Sequence, residues 1–175
     1  MTVTRSRAAR VAMLATLGGA TLMLSAATRN SSTMFGGPWI SIEAPVNPYD
    51  ASTRGALFLV HTFHHGTPED QRIVAKAEGL VDGQRKSVAL TPSKSAQVGT
   101  QSVRNEWGRK GTWTVLVSTT EHGFAMQAVV DIDADGAVGR VTVPMENGRW
   151  KMLSAAEIDR SLRERARAPL AVGLR

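Results

Sequence analysis

Four histidines are the side chains in this sequence best suited to chemistry, and His61, His64 and His65 fall within one five-residue stretch, with His122 elsewhere. Imidazole is the commonest protein ligand for zinc, copper and nickel, and a site needs about three convergent ligands. In an extended strand His61 and His65 share a face about 13 Å apart by strand rise, while His64 points the other way. Joint chelation therefore requires a bend. Gly66-Thr67-Pro68 supplies a turn that would carry His64 and His65 toward His122 at one end of the fold. A copper or zinc site on these four residues is one expectation, and polar strand-end histidines in a solvated loop are the other.

Other constellations carry less. Asp131-Ile132-Asp133-Ala134-Asp135-Gly136 matches the first half of a calcium loop, in which alternate carboxylates wrap a hard cation. Its second half fails: Thr142 stands where the bidentate glutamate belongs, and the flanks read as strands. A hairpin turn with solvated acids is expected instead. The chain has no cysteine, no Gly-x-Ser-x-Gly elbow and no phosphate-cradling glycine loop with its lysine. A protein without catalytic residues or cofactor is expected, an enzyme with loop-borne catalytic groups being the alternative. Trp150 sits between Arg149 and Lys151, and Arg160, Arg163, Arg165 and Arg167 follow on what reads as the outward side of a helix. Trp150, Arg160, Arg163 and Arg167 are the candidate interaction residues.

These residues sit in a chain of 175 residues, one domain's worth, with 42% hydrophobic and 21% charged residues. The formal charge of +6 is concentrated at the two ends. Arg5, Arg7 and Arg10 precede an uncharged run from Val11 to Ala27 that closes on Ser25-Ala26-Ala27, the three-part layout of a secretory signal. Cleavage after Ala27 is expected, which places the domain in the periplasm or outside the cell. Retention of residues 11–27 as a membrane anchor is the alternative, and the only membrane contact expected. Residues after Gly148 carry seven bases and three acids, leaving a nearly neutral body. Such a body lacks the clustered cations of a nucleic-acid surface. The organisation is thus a signal peptide at 1–27, a flexible leader at 28–37, a β-domain at 38–148 and a basic helix and tail at 149–175.

Within the β-domain, Ala56-Leu57-Phe58-Leu59-Val60 is apolar on both parities and predicts a central strand. Asp82-Gly83 between Ile73–Val81 and Arg85–Leu90 predicts a type I′ hairpin. Val98–Trp107 and Thr112–Thr119 read as a further strand pair. Phe124, Met126, Ala128, Val130 and Ile132 alternate with polar positions, predicting one buried face. Seven to eight such strands predict an all-β, antiparallel two-sheet sandwich, with a barrel as the alternative. Ser154-Ala155-Ala156-Glu157 is a capping box, flanked by Leu153 and Ile158 as a hydrophobic staple. It predicts a short C-terminal α-helix to about Ala168, with Ile158, Leu162 and Ala166 facing the domain.

Gly99-Thr100-Gln101-Ser102-Val103 through Trp107, then Gly111-Thr112-Trp113-Thr114-Val115-Leu116-Val117, resembles the closing strands of small exported immunoglobulin-like domains of the FixH/YtkA-like and CopC-like groups. The resemblance covers roughly a third of the chain and implies an immunoglobulin-like sandwich that accompanies metal handling or an envelope assembly. Met34 stands without a nearby histidine, unlike the copper-binding pattern of those groups. The expected function is a non-catalytic exported module that engages a protein partner in the cell envelope.

Overall fold

The computed structural model describes residues 37–121 and 123–168. The expected signal segment, nearly all of the leader, His122 and the last seven residues lie outside the described residues. The strands run in chain order β1 (Trp39–Glu43), β2 (Phe58–His64), β3 (Thr67–Pro68), β4 (Ile73–Val81), β5 (Gln84–Leu90), β6 (Ser93–Lys94), β7 (Thr100–Val103), β8 (Thr112–Glu121), β9 (Phe124–Ile132), β10 (Val138–Thr142), β11 (Met145–Glu146) and β12 (Arg149–Trp150). One helix, α1 (Ala155–Arg167), follows. β1, β2, β4, β5, β7, β8, β9 and β10 are four residues or longer, within the expected count.

All pairings are antiparallel and form two main sheets and a small hairpin. The first sheet runs β1-β2-β7-β6 with β3 added to β2, and the second runs β10-β9-β8-β4-β5. The chain crosses between sheets after β3, β5 and β7, a Greek-key wiring of the immunoglobulin-like kind. Phe58, Val60 and Val103 from the first sheet meet Ala77, Val115, Val117, Ala128 and Val130 from the second in one core. β2 is central, as its apolar run predicts. Asp82 and Gly83 both have positive φ, 51° and 78°, so the β4–β5 turn is the I′ type that its sequence specifies.

Two expectations about the strands are corrected. The segments around β7 and β8 do not pair: β7 lies between β2 and β6, and β8 lies between β4 and β9 in the other sheet. The physical sign is the link. Residues 104–111 are longer than the two to five residues of ordinary hairpin loops. They carry the chain across the sandwich, with Asn105 Oδ1 accepting from the Trp107 and Gly108 amides at 3.2 and 3.1 Å. The second correction concerns β9, which is buried on both faces. Met126, Ala128, Val130 and Ile132 enter the core, while Gln127, Val129 and Asp131 are covered on the opposite face.

The cover is α1. Its capping box is complete: the Ser154 amide donates to Glu157 Oε2 at 2.9 Å, and the Glu157 amide donates to Ser154 Oγ at 3.3 Å. Ile158 and Leu162 pack with Leu116 and Val129, Leu153 joining from the staple position. The third inward position is taken by Arg165, and Ala166 is exposed. The expectation that Arg165 points outward is thereby corrected. Its guanidinium donates to Asp131 Oδ1 (2.9 Å), Thr114 Oγ1 (2.7 Å), and the carbonyls of Trp113 (3.0 Å) and Ile132 (2.7 Å). Asp131 Oδ2 pairs with Arg140 at 3.2 Å. A second tie runs from buried Glu78 to Arg85 at 2.8 Å, and from Arg85 to Asp159 of the helix at 3.7 Å.

Candidate functional site

The core-facing row of β2 reads Phe58, Val60, Thr62, His64, and that of β8 reads Trp113, Val115, Val117, Thr119, Glu121. Side chains two apart share a face, so each row passes from apolar to hydroxyl to ionisable at the same end of the inter-sheet space. The hydroxyl layer is buried and cross-linked. Thr62 Oγ1 donates to the Glu69 carbonyl at 2.5 Å, and the Glu69 amide donates to the Thr62 carbonyl at 3.0 Å. Thr119 Oγ1 lies 3.1 Å from Gln71 Oε1 and 3.2 Å from the Arg72 carbonyl. Gln71 Nε2 donates to the Phe63 carbonyl at 2.8 Å, and Gln101 Nε2 donates to the Gln71 carbonyl at 2.9 Å. These neutral groups tie β2, the segment after β3, and β8 into one frame.

Beyond that layer lie His64, Glu69 and Glu121. One ligand atom from each comes within 4.8 Å of the others, with His64 Nδ1 3.2 Å from Glu69 Oε2. The tetrahedral edges of a zinc site are about 3.4 Å, given metal–ligand bonds near 2.1 Å. Small torsional changes in these side chains close the difference. The side chains of His64 and Glu69 are accessible, 29% and 49%, while Glu121 is half-buried with Oε2 shielded, so an ion would enter from the His64 and Glu69 side.

The sequence-predicted histidines separate. His61 lies on the other face of β2, its Nδ1 3.1 Å from Thr100 Oγ1 and its Nε2 2.8 Å from Glu43 Oε2. His65 stacks on His64 with ring centroids 4.3 Å apart, inclined by 33°. It occupies a two-residue turn with Gly66, with positive φ at both (48° and 79°), and His64 pairs with Thr67 across it. A residue at position 66 must adopt this left-handed geometry, which glycine does without strain. His122 is outside the described residues. Sequence reasoning missed Glu69 and Glu121. The β8 alternation places Glu121 at the end of a core row, whereas nothing local marks Glu69.

The interaction candidates also separate. Trp150 is half-buried, pairs with Met145 across the β11–β12 hairpin, and packs against the core. The expected domain boundary at 148/149 thus falls in the turn of this hairpin. Arg160, Arg163 and Arg167 are exposed along α1, and Arg163 pairs with Asp159 at 2.7 Å. A separate groove of about 400 Å³ between β1 and β10 is lined by Ile42, Pro45, Leu57, Val138 and Val141 and has no convergent polar side chain.

Glu78 and Glu157, at the sheet–helix junction, are shifted. Desolvation raises the pKa of Glu78, but hydrogen bonds from Lys76, Ser87 and Arg85 outweigh it and hold the pKa below its ordinary value. Glu157 is lowered to about 2 by Lys151 and by both donors of Ser154.

No family model, no curated protein and no solved structure matches this chain.

Proposed function

We infer that this protein is a non-catalytic exported module of the immunoglobulin-like sandwich class that engages an acidic surface on another envelope protein. One observation carries the reading. The inward side of α1 is fully committed to the sheet through Ile158, Leu162 and Arg165, while Arg160, Arg163 and Arg167 form an exposed basic ridge in which only Arg163 has an ion-pair partner among the described residues, Asp159. Among the described residues Arg160 and Arg167 have no ion-pair partner. A ridge fixed on a clamped helix loses little conformational freedom on docking, which favours specific charge complementarity. A lipid-surface role is disfavoured because the apolar stripe that would enter a bilayer is already used.

The absence of catalysis is supported by the nearest approach to a relay. Among the described residues Glu43, His61 and Thr100 line up at hydrogen-bond distances, but Thr100, whose hydroxyl would attack, is buried at 2% exposure. The likeness of residues 99–117 to exported sandwich domains supports the compartment on fold-level grounds alone.

The test is a photo-crosslinker at position 164, exposed on the same helix, in the exported chain. A discrete adduct is expected, lost at high salt and lost in the Arg160→Glu/Arg163→Glu/Arg167→Glu variant with its unfolding transition unchanged. Absence of an adduct, or equal yield from the charge-reversed variant, contradicts the reading.

A further inference from the structure

We propose that His64, Glu69 and Glu121 form a binding site for a divalent transition ion of borderline softness, of which Zn²⁺ is the probe. The site is separate from the basic ridge, so it stands or falls independently of the docking reading.

The first argument is convergence. His64 comes from the end of β2 in one sheet, Glu121 from the end of β8 in the other, and Glu69 from the segment that joins the sheets. Their ligand atoms nonetheless lie within 4.8 Å of one another. Residues far apart in the chain reach such proximity only when the fold places them there. The second argument is independent of the ligands themselves. Each is two residues from a buried member of the hydrogen-bonded layer: His64 from Thr62, Glu121 from Thr119, and Glu69 from Gln71. Thr62, Thr119 and Gln71 are 0%, 2% and 8% exposed, and they fix the three backbones without using the ligand side chains. Gly99 completes the frame: a Cβ there would lie 2.7 Å from the Thr62 carbonyl and 2.9 Å from the Glu69 amide, so only glycine lets the chain pass this close. A rigid frame beneath the ligands is the arrangement that pre-organises a metal site.

The donor set selects the ion. One imidazole and two carboxylates suit zinc and its neighbours, whereas calcium and magnesium prefer all-oxygen shells. Three protein ligands leave a coordination position for water or a partner's side chain.

Calorimetric titration of the metal-stripped chain tests this. One equivalent of Zn²⁺ is expected to bind in the micromolar range, undisturbed by excess Ca²⁺ or Mg²⁺. Glu121→Gln and Glu69→Gln should weaken binding by about 100-fold, and Thr119→Val, in the supporting layer, by about tenfold. His61→Ala should leave it unchanged. If His64→Ala fails to fold, the exposed, nearly isosteric Glu69→Gln carries the test. No binding by the parent chain overturns the proposal. So does binding that survives both glutamine substitutions, that depends on His122 while ignoring them, or that Ca²⁺ displaces.

Discussion

Asp131 with Arg165 at one end of the β8–β9 hairpin, and Glu121 with His64 and Glu69 at the other, use similar groups at similar separations. They differ in where their hydrogen bonds go. Asp131 Oδ1 accepts from Thr114 and Arg165 and Oδ2 accepts from Arg140, while Arg165 also donates to two backbone carbonyls. That cluster closes on itself and is mostly shielded from water, with side-chain exposures of 20% and 10% for Arg165 and Asp131. The other cluster is held from beneath by neutral amides and hydroxyls, with one ligand atom of each residue within 4.8 Å of the others and the His64 and Glu69 side chains open to solvent. A charged group whose partners are all supplied by the fold is there for the fold. Three ligands whose backbones are fixed by a neutral layer beneath them are placed as a bound ion would need them.

The sharpest way to break this contrast is Arg165→Ala. It leaves Asp131 shielded with only Thr114 and the exposed Arg140 as partners and unpins α1, at a cost of about 3 kcal/mol, the lower end for breaking a buried ion pair. Urea unfolding measures it. A change below about 0.5 kcal/mol would make the clamp ornamental.

Arg165 also shows what was legible in the sequence. At 100° per residue, position 165 lies about 20° from Ile158 on the helix wheel, whereas Ala166 lies about 80° away. The spacing therefore marked Arg165 as inward, and only the habit of assigning arginine to solvent hid it. The Asp82-Gly83 turn and the Ser154 capping box were readable because their chemistry is local. The β7–β8 crossing was not read, because both segments have core-quality patterns and the sheet each joins is decided by distant partners. The burial of Gln127 and Asp131 was hidden for the same reason: on that face of β9 only Val129 is apolar, and the helix that covers it is distant in sequence. At the candidate site, His64 was visible as a histidine near a turn. Glu69 owes its place to the His65-Gly66 reversal and to the network around Thr62, and neither is a local property.

Thr119→Val sharpens the comparison from the other end. It removes a buried donor shared between Gln71 Oε1 and the Arg72 carbonyl, at a cost of about 1–2 kcal/mol. The loss should come with weakened Zn²⁺ affinity, coupling frame to ligands. Arg165→Ala, assayed where it remains folded, should leave that affinity unchanged.

Ser154→Ala is expected to cost about 1 kcal/mol by removing the helix cap, and it also exposes a pH dependence. Glu157 and Glu78 have folded-state pKa values below their ordinary range. Their contribution is therefore present above the unfolded value near 4.5 and is lost as pH falls through the folded value, which for Glu157 is about 2. Stability followed by circular dichroism should decline on acidification from about pH 4.5 toward 2, and Ser154→Ala should make that decline shallower.

Thermal unfolding of the metal-stripped chain separates the two clusters most directly, with Arg165→Ala measured beside the Glu69→Gln/Glu121→Gln double variant. A fall of about 10 °C is expected for Arg165→Ala, with the double variant within about 2 °C of the parent. A large fall in the double variant together with an unmoved Arg165→Ala would contradict the assignment of one cluster to the fold and the other to binding.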